Sequence, residues 1–275
     1  MNVLTFVDPS PRGEWSLRLT AEFAGRLAHR VVLLATEEDA GADPGMLDRA
    51  ASAVGGLEAV VVEKKVRPGR PRRVIIEEAS ENLYELTIFP PAGRNGLQRL
   101  LQGSRVRSVV RHIPSSVLVA RRPSARIRRI LAAVSASPFG QTTVGAGLEI
   151  AKALESDLTA IHVVSKVPLP AGEEPPGGGL EEAPDARPEG VLEKVREEFE
   201  AAGRKPKIVI REGLVVEEVI QEVDAGNYDL LVVGHHIAAH LQADLQQDLS
   251  ERLILWCPIP VLVIQPRKVA ARTGP

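Results

Sequence analysis

Short runs of Val, Leu, Ile and Ala punctuate this 275-residue chain, and between them apolar residues recur every three or four positions. A run of four to eight apolar residues bounded by turn residues predicts a buried strand, and the wider spacing predicts a helix with one apolar face. Val3–Val7 is such a strand, ending at Asp8-Pro9-Ser10, and Trp15, Leu19, Phe23 and Leu27 mark the helix that follows. Val31–Ala35 and Leu57–Val62 predict a second and a third strand. The basic stretch from Lys64 to Pro71 reads as a loop, Val74, Ile75 and Ala79 mark a helix, and Tyr84–Phe89 predicts a fourth strand. A loop from Gly93 to Gly103 leads to a helix from Ser104 carrying Val106, Val109, Val110 and Ile113, and Ser116–Ala120 is the fifth strand.

The same order then returns. Ile130–Val134 predicts a strand, Val144, Leu148, Ala151 and Leu154 a helical stripe, and Leu158–Val164 a strand. Residues 165–188, rich in Pro, Gly and Glu, have little to bury and are expected to form a mobile insertion. Val191–Ala202 reads as a helix, Ile208–Ile210 as a strand, Val215–Val223 as a helix, and Asp229–Gly234 as a strand entering a glycine turn. A helical stretch reaching Leu255-Trp256-Cys257-Pro258 and the strand 260–264 mirror Arg111-His112-Ile113-Pro114 and the strand 116–120. The chain therefore reads as two copies of one unit of roughly 120–145 residues, joined by the short basic linker Arg121–Arg129. Strands alternating with helices imply right-handed crossovers and a parallel sheet covered on both faces. The expected fold is α/β: two tandem doubly wound five-stranded parallel-sheet domains.

Composition sharpens this in three ways. Aromatic residues make up only 3% of the chain, so the cores must be built from aliphatic side chains, as in buried parallel sheets. A net charge of −2 gives no general attraction to nucleic acid or anionic membrane, and the basic stretch Lys64–Arg73 lacks the interleaved aromatics that stack bases. The single cysteine, Cys257, excludes an intrachain disulfide and fits a reducing, cytoplasmic setting; its place before an apolar strand suggests a packed thiol. No apolar run approaches the ~20 residues of a membrane span.

Candidate chemistry is sparse. His236, His240 and Asp244 would share a helix face at a spacing that suits a transition metal, but no cysteine supports them and no metal is expected. No Ser/His/Asp arrangement and no phosphate-loop lysine is present, so no catalytic residue is assigned and the expectation is a non-enzyme.

Asn227-Tyr228-Asp229-Leu230-Leu231-Val232-Val233-Gly234, the glycines Gly69 and Gly213 ahead of a helix in each half, and the matched endings Gly103-Ser104…Val117-Leu118-Val119 and Ser250-Glu251-Arg252…Val261-Leu262-Val263 resemble the universal stress protein family in tandem form. The resemblance covers about 1–121 and 126–267. It implies an intrachain pseudo-dimer in which strands 116–120 and 260–264 meet about a pseudo-twofold axis, with further pairing into a homodimer left open. Members that bind ATP carry G-x2-G-x9-G-[S/T] after strand four and an aspartate at the end of strand one. Glycines let backbone N–H groups approach phosphate, and the closing Gly-Ser opens a helix whose N-terminus attracts anions.

In the first half the matching residues are Asp8, Gly93, Gly103 and Ser104, with Pro90 in place of the first glycine. Proline has no N–H to offer a phosphate. In the second half only Gly234 survives: Ile237, Gln247 and Asp248 occupy the other positions, and Ser135 replaces the aspartate. The resemblance thus implies ATP or AMP in the first half and a second half dead for nucleotide. Two readings stay open: a nucleotide-binding stress or regulatory protein, and a nucleotide-independent interaction module in which both sites have decayed.

Overall fold

The computed structural model describes residues 1–55, 60–90, 110, 112–135, 138–165, 188–235 and 249–265. The first half comprises β1 (Asn2–Phe6), α1 (Gly13–Leu27), β2 (Arg30–Thr36), α2 (Glu37–Ala42), α3 (Met46–Val54), β3 (Val61–Arg67), α4 (Pro71–Glu81), β4 (Leu86–Phe89) and β5 (Ser116–Val119). The second comprises β6 (Arg129–Val134), α5 (Pro138–Ala153), β7 (Asp157–Ser165), α6 (Pro188–Ala201), β8 (Ile208–Gly213), α7 (Val215–Gly226), β9 (Leu230–Gly234), α8 (Leu249–Trp256) and β10 (Val261–Ile264).

All ten strands join one sheet in the order β3-β2-β1-β4-β5-β10-β9-β6-β7-β8. Every neighbour pair is parallel except β5 and β10, which meet antiparallel with Val119, Leu118 and Val117 opposite Val261, Leu262 and Val263. The two five-stranded halves therefore close on each other through their last strands, as an intrachain pseudo-dimer. Both faces of the inner strands are buried, which explains their unbroken apolar runs. One face packs on Leu19 and Phe23 of α1, Ala50 of α3, Leu148 of α5 and Phe199 of α6; the other packs on Ile75 of α4, Val219 of α7 and Ile254 of α8. Among the described residues no helix is long and apolar enough to cross a membrane.

At the seam, a residue just beyond each half's last strand reaches across to the other half's last helical segment. Arg121 Nη2 donates to the carbonyls of Ile254 and Leu255 at the end of α8, the latter at 2.8 Å. Its counterpart Gln265 donates from Nε2 to Val110 O at 2.8 Å and from its backbone N to Ser116 Oγ at 3.2 Å. On the opposite face Glu22 Oε1 accepts from Ile127 N at 2.7 Å, and Glu155 pairs with both Arg26 and Arg126 at 3.0 and 2.8 Å. Burial holds the Glu22 carboxyl above the usual range.

A buried carboxylate network is also duplicated. In the first half Glu78, 1% exposed, accepts from Tyr84 OH and Asn82 Nδ2 at 2.7 and 2.9 Å and pairs with Lys65 Nζ and Arg67 Nε, both at 2.7 Å. In the second, Glu222 accepts from Arg211 Nη2 at 2.6 Å and from Tyr228 OH at 3.1 Å. Each network staples an edge strand to a helix and to the turn ahead of the next strand. Burial, reinforced by the carboxylate, raises the pKa of both tyrosines.

Three expectations on element bounds are corrected. The third strand is Val61–Arg67 and runs on past the expected end at Val62, while residues 57–59 of the expected strand lie outside the described residues; the first half of the basic "loop" is thus strand, pairing with β2 from Arg30↔Val61 to Thr36↔Arg67. It is an edge strand whose side chains are mostly exposed or half-buried, so its polar pattern looks like a loop. Its cations are spent within the fold: Lys64 pairs with Asp48, Lys65 and Arg67 with Glu78, and Arg67 with Glu81. The fourth strand starts at Leu86 rather than Tyr84, and α2 and α3 fill a stretch in which no helix was expected. The expected insertion 165–188 falls on residues 166–187, outside the described residues, while Ser165 ends β7 and Pro188 opens α6.

Cys257 is fully buried, and burial pushes its thiol up to about 11. The neutral thiol should resist Ellman's reagent at pH 8 in native protein and react promptly in denaturant. Because the folded pKa exceeds the unfolded value of about 9, this group's contribution is intact below pH ~9. It is lost as pH rises toward ~11, where the unfolded chain sheds the proton first. Prompt native-state labelling at pH 8 would contradict this packing.

Candidate functional site

In an open parallel sheet, ligands bind beyond the carboxyl ends of the strands. At that end of β1, Val7 continues the ladder by donating to Leu34 O at 2.8 Å, and the chain then turns. Asp8 Oδ1 accepts from Ser10 N at 2.7 Å, an Asx turn that fixes the carboxylate at the head of α1. The turn is clamped from behind by Gly13: a Cβ there would lie 1.9 Å from Asp8 O. Only glycine lets α1 begin so close to the strand end.

The second half repeats this frame, since a Cβ on Gly140 would lie 2.3 Å from Ser135 O. What differs is the side chain presented, a carboxylate in one half and a hydroxyl in the other. The adjoining strand ends also differ. After β2, Asp39 N donates to Thr36 Oγ1 at 3.0 Å and Thr36 Oγ1 donates to Asp39 Oδ2 at 2.7 Å, capping α2. Burial, with a smaller contribution from nearby Asp8, raises the Asp39 pKa. In the second half His162 is buried at β7, and its Nδ1 donates to Val134 O at 3.0 Å. After β9, His235 N is spent on Ile264 O at 3.0 Å rather than left to bind phosphate.

A cleft of ≈ 1080 Å³ opens beside the first-half turn. It runs from Asp8 and Ser10 along the flank of α1, past Glu14 and Arg18, to Arg126 and Leu154. Ser10 lines it as well, although its Oγ is buried, with no hydrogen-bond partner among the described residues. Of the residues singled out for nucleotide, Asp8 is therefore on a cleft wall. Gly93, Gly103 and Ser104 lie outside the described residues, as do His236, His240 and Asp244. Pro90 directly follows β4 and is buried. Among the described residues no cluster of His, Cys, Asp and Glu has the makings of a metal site.

The universal stress protein family model matches this chain twice, over residues 1–121 and 126–265. The chain belongs to the universal stress protein family. A universal stress protein of Mycolicibacterium smegmatis is 28% identical over 138 residues, a match spanning 50% of this chain and 97% of that protein. A universal stress protein from Archaeoglobus fulgidus shares the tandem fold at 17% identity with a TM-score of 0.69, covering 96% of each chain. A functionally unknown protein from Pseudomonas aeruginosa does so at 18% identity and 0.69, covering 97% of this chain and 92% of its own. At these identities the structural likeness speaks for the fold alone. Within the family frame, two features of this site escaped the sequence reading. The Thr36–Asp39 cap had a usable signal, a T-x-x-D directly after an apolar run. The placement of Arg121 had none, because its partners lie more than 130 positions away.

Proposed function

We propose that this universal stress protein is a non-enzymatic regulatory protein whose first half holds an adenine nucleotide, ATP or AMP, as a state-setting ligand. The observation that carries the reading is the inequality of two otherwise matching strand ends. Asp8 offers a carboxylate to a cleft, where Ser135 offers only a hydroxyl on the same glycine-clamped turn. Asp8 Oδ1 is engaged by Ser10 N, and the other carboxylate oxygen is suited to accept from a ribose hydroxyl. The cleft is at the upper end of the usual small-molecule range, ample for a mononucleotide. Gly103 and Ser104 would supply phosphate donors at a helix start.

Mass spectrometry of purified, denatured protein tests this directly: carried-over ATP or AMP is the expected result. Adenine nucleotide should also raise the melting temperature with occupancy, and Gly103→Val should abolish the rise. A melting temperature that stays flat across millimolar ATP and AMP would leave the interaction-module reading.

A further inference from the structure

The cleft beside Asp8 runs almost the whole length of α1. Residues of that helix from Gly13 to Arg26 line it at intervals of three and four, so it follows the helix for about 20 Å at a rise of roughly 1.5 Å per residue. Its second half is roomy, since Ala21 and Gly25 put at most a methyl group into it. Of the four arginines that line it, Arg26 and Arg126 are spent on Glu155, and Arg49 on Asp43. Arg18 is exposed in the cleft and has no partner among the described residues. No ion pair joins it even to Glu14 or Glu22, one turn to either side. Two carboxylates are anchored in the same way on either side of it. Asp8 Oδ1 is engaged by Ser10 N and Glu22 Oε1 by Ile127 N, both at 2.7 Å. In each case the backbone fixes one oxygen and leaves the other without a described partner. Along the helix axis Arg18 stands about 7.5 Å beyond Gly13, which abuts Asp8, and about 6 Å short of Glu22.

We propose that the cleft takes a dinucleoside oligophosphate, with one nucleoside at Asp8, the anionic bridge at Arg18 and the second nucleoside beside Ala21 and Glu22. The proposal rests on the nucleotide reading above and deepens it by naming the ligand class. Acceptor, cation and acceptor follow one another along the cleft. That order matches a ligand with hydroxyl or amino donors at both ends and an anion between them. A mononucleotide seated at Asp8 meets only the first two. The volume, ≈ 1080 Å³, also has room to spare beyond one nucleotide. Ser124 and Arg126 of the linker line the same cleft, and Glu22 is bonded to the linker at Ile127. The second nucleoside would therefore touch the segment that joins the two halves.

Calorimetry on the full-length chain tests this with three probes: AMP, ATP and diadenosine tetraphosphate. The dinucleotide should bind the parent protein at least about tenfold more tightly than ATP does. Arg18→Ala alters an exposed side chain with no described partner, so the fold should be unaffected. It should weaken dinucleotide binding about tenfold and leave AMP affinity unchanged. Ala21→Leu adds bulk to the far half of the cleft. It should cancel the dinucleotide's advantage while AMP and ATP bind as they do to the parent. A parent protein that binds ATP or AMP, but the dinucleotide only within about twofold of ATP, would overturn the two-nucleoside ligand and leave the mononucleotide reading standing. Binding of none of the three would overturn both. Undiminished dinucleotide affinity in Arg18→Ala would also overturn the proposal, because the bridge would then not lie at that cation. Melting temperatures of both variants are recorded alongside; should Ala21→Leu fail to fold, the parent comparison and Arg18→Ala decide.

Discussion

Gly13→Ala is expected to lower the melting temperature by about 2–12 °C and to erase the nucleotide-dependent rise that the proposed site predicts. The added methyl would sit 1.9 Å from Asp8 O, against backbone rather than a flexible side-chain end. Either the first turn of α1 or the Asp8 turn must then move. Forcing extra atoms into a packed site costs about 1–3 kcal/mol and at times more, and a domain of this size loses roughly 2–4 °C per kcal/mol. Gly140→Ala meets Ser135 O at 2.3 Å and should cost a comparable amount. Its consequence for ligand should differ, because the second-half turn carries no carboxylate. The paired experiment is a thermal melt of parent, Gly13→Ala and Gly140→Ala, each with and without nucleotide. If Gly13→Ala melts within a degree of the parent, the close approach of helix to strand end is not a constraint. If both variants lose the nucleotide shift equally, the site is not local to Asp8.

The second large effect concerns a residue that does not line the cleft. Glu78→Ala should destabilise the protein by about 2–4 kcal/mol, read as a lower midpoint in urea. The substitution strands Tyr84 OH in the core and removes the anion that Lys65 and Arg67 share. Severing a fully enclosed ion pair costs about 3–5 kcal/mol; here the side chains of Lys65 and Arg67 keep 39% and 20% exposure and can partly rehydrate, which trims the loss. Glu78→Gln still offers Tyr84 an acceptor and should cost about half as much. Glu222→Ala removes the duplicate network and should behave alike. A Glu78→Ala midpoint matching the parent would show the network to be incidental to stability, despite its repetition at the same place in both halves.

That repetition shows where sequence reasoning succeeds and fails. Arg67/Arg211, Glu78/Glu222 and Tyr84/Tyr228 recur at constant spacing, yet a lone Glu on a helix gives no sign that it faces inward. Its burial depends on cations from a strand that itself looked like a loop. β3 escaped recognition because an edge strand covers only part of its surface, so Glu63, Lys64, Lys65 and Arg67 break the apolar run. α2 and α3 escaped because their buried residues are few: none in α2, and Met46, Leu47, Ala50 and Val54 in α3. At the site, Asp8 was legible as a residue at a strand end. The Gly13 clamp behind it was not, because a glycine's need for space is set by what packs above it.

The sequence by itself determined the duplicated alternation of strand and helix, the parallel core of aliphatic side chains and the membership of a family. The first two follow from local periodicity and composition, which the chain carries residue by residue, and the third from the likeness of its motifs to those of the family. The family resemblance already implied that β5 and β10 meet, and the tertiary structure alone decided their register and that Arg121 and Gln265 each donate across that seam. It also decided that a cleft flanks Asp8. Those features join residues up to 155 positions apart in the chain, and no local pattern records which distant backbone carbonyl a side chain will meet.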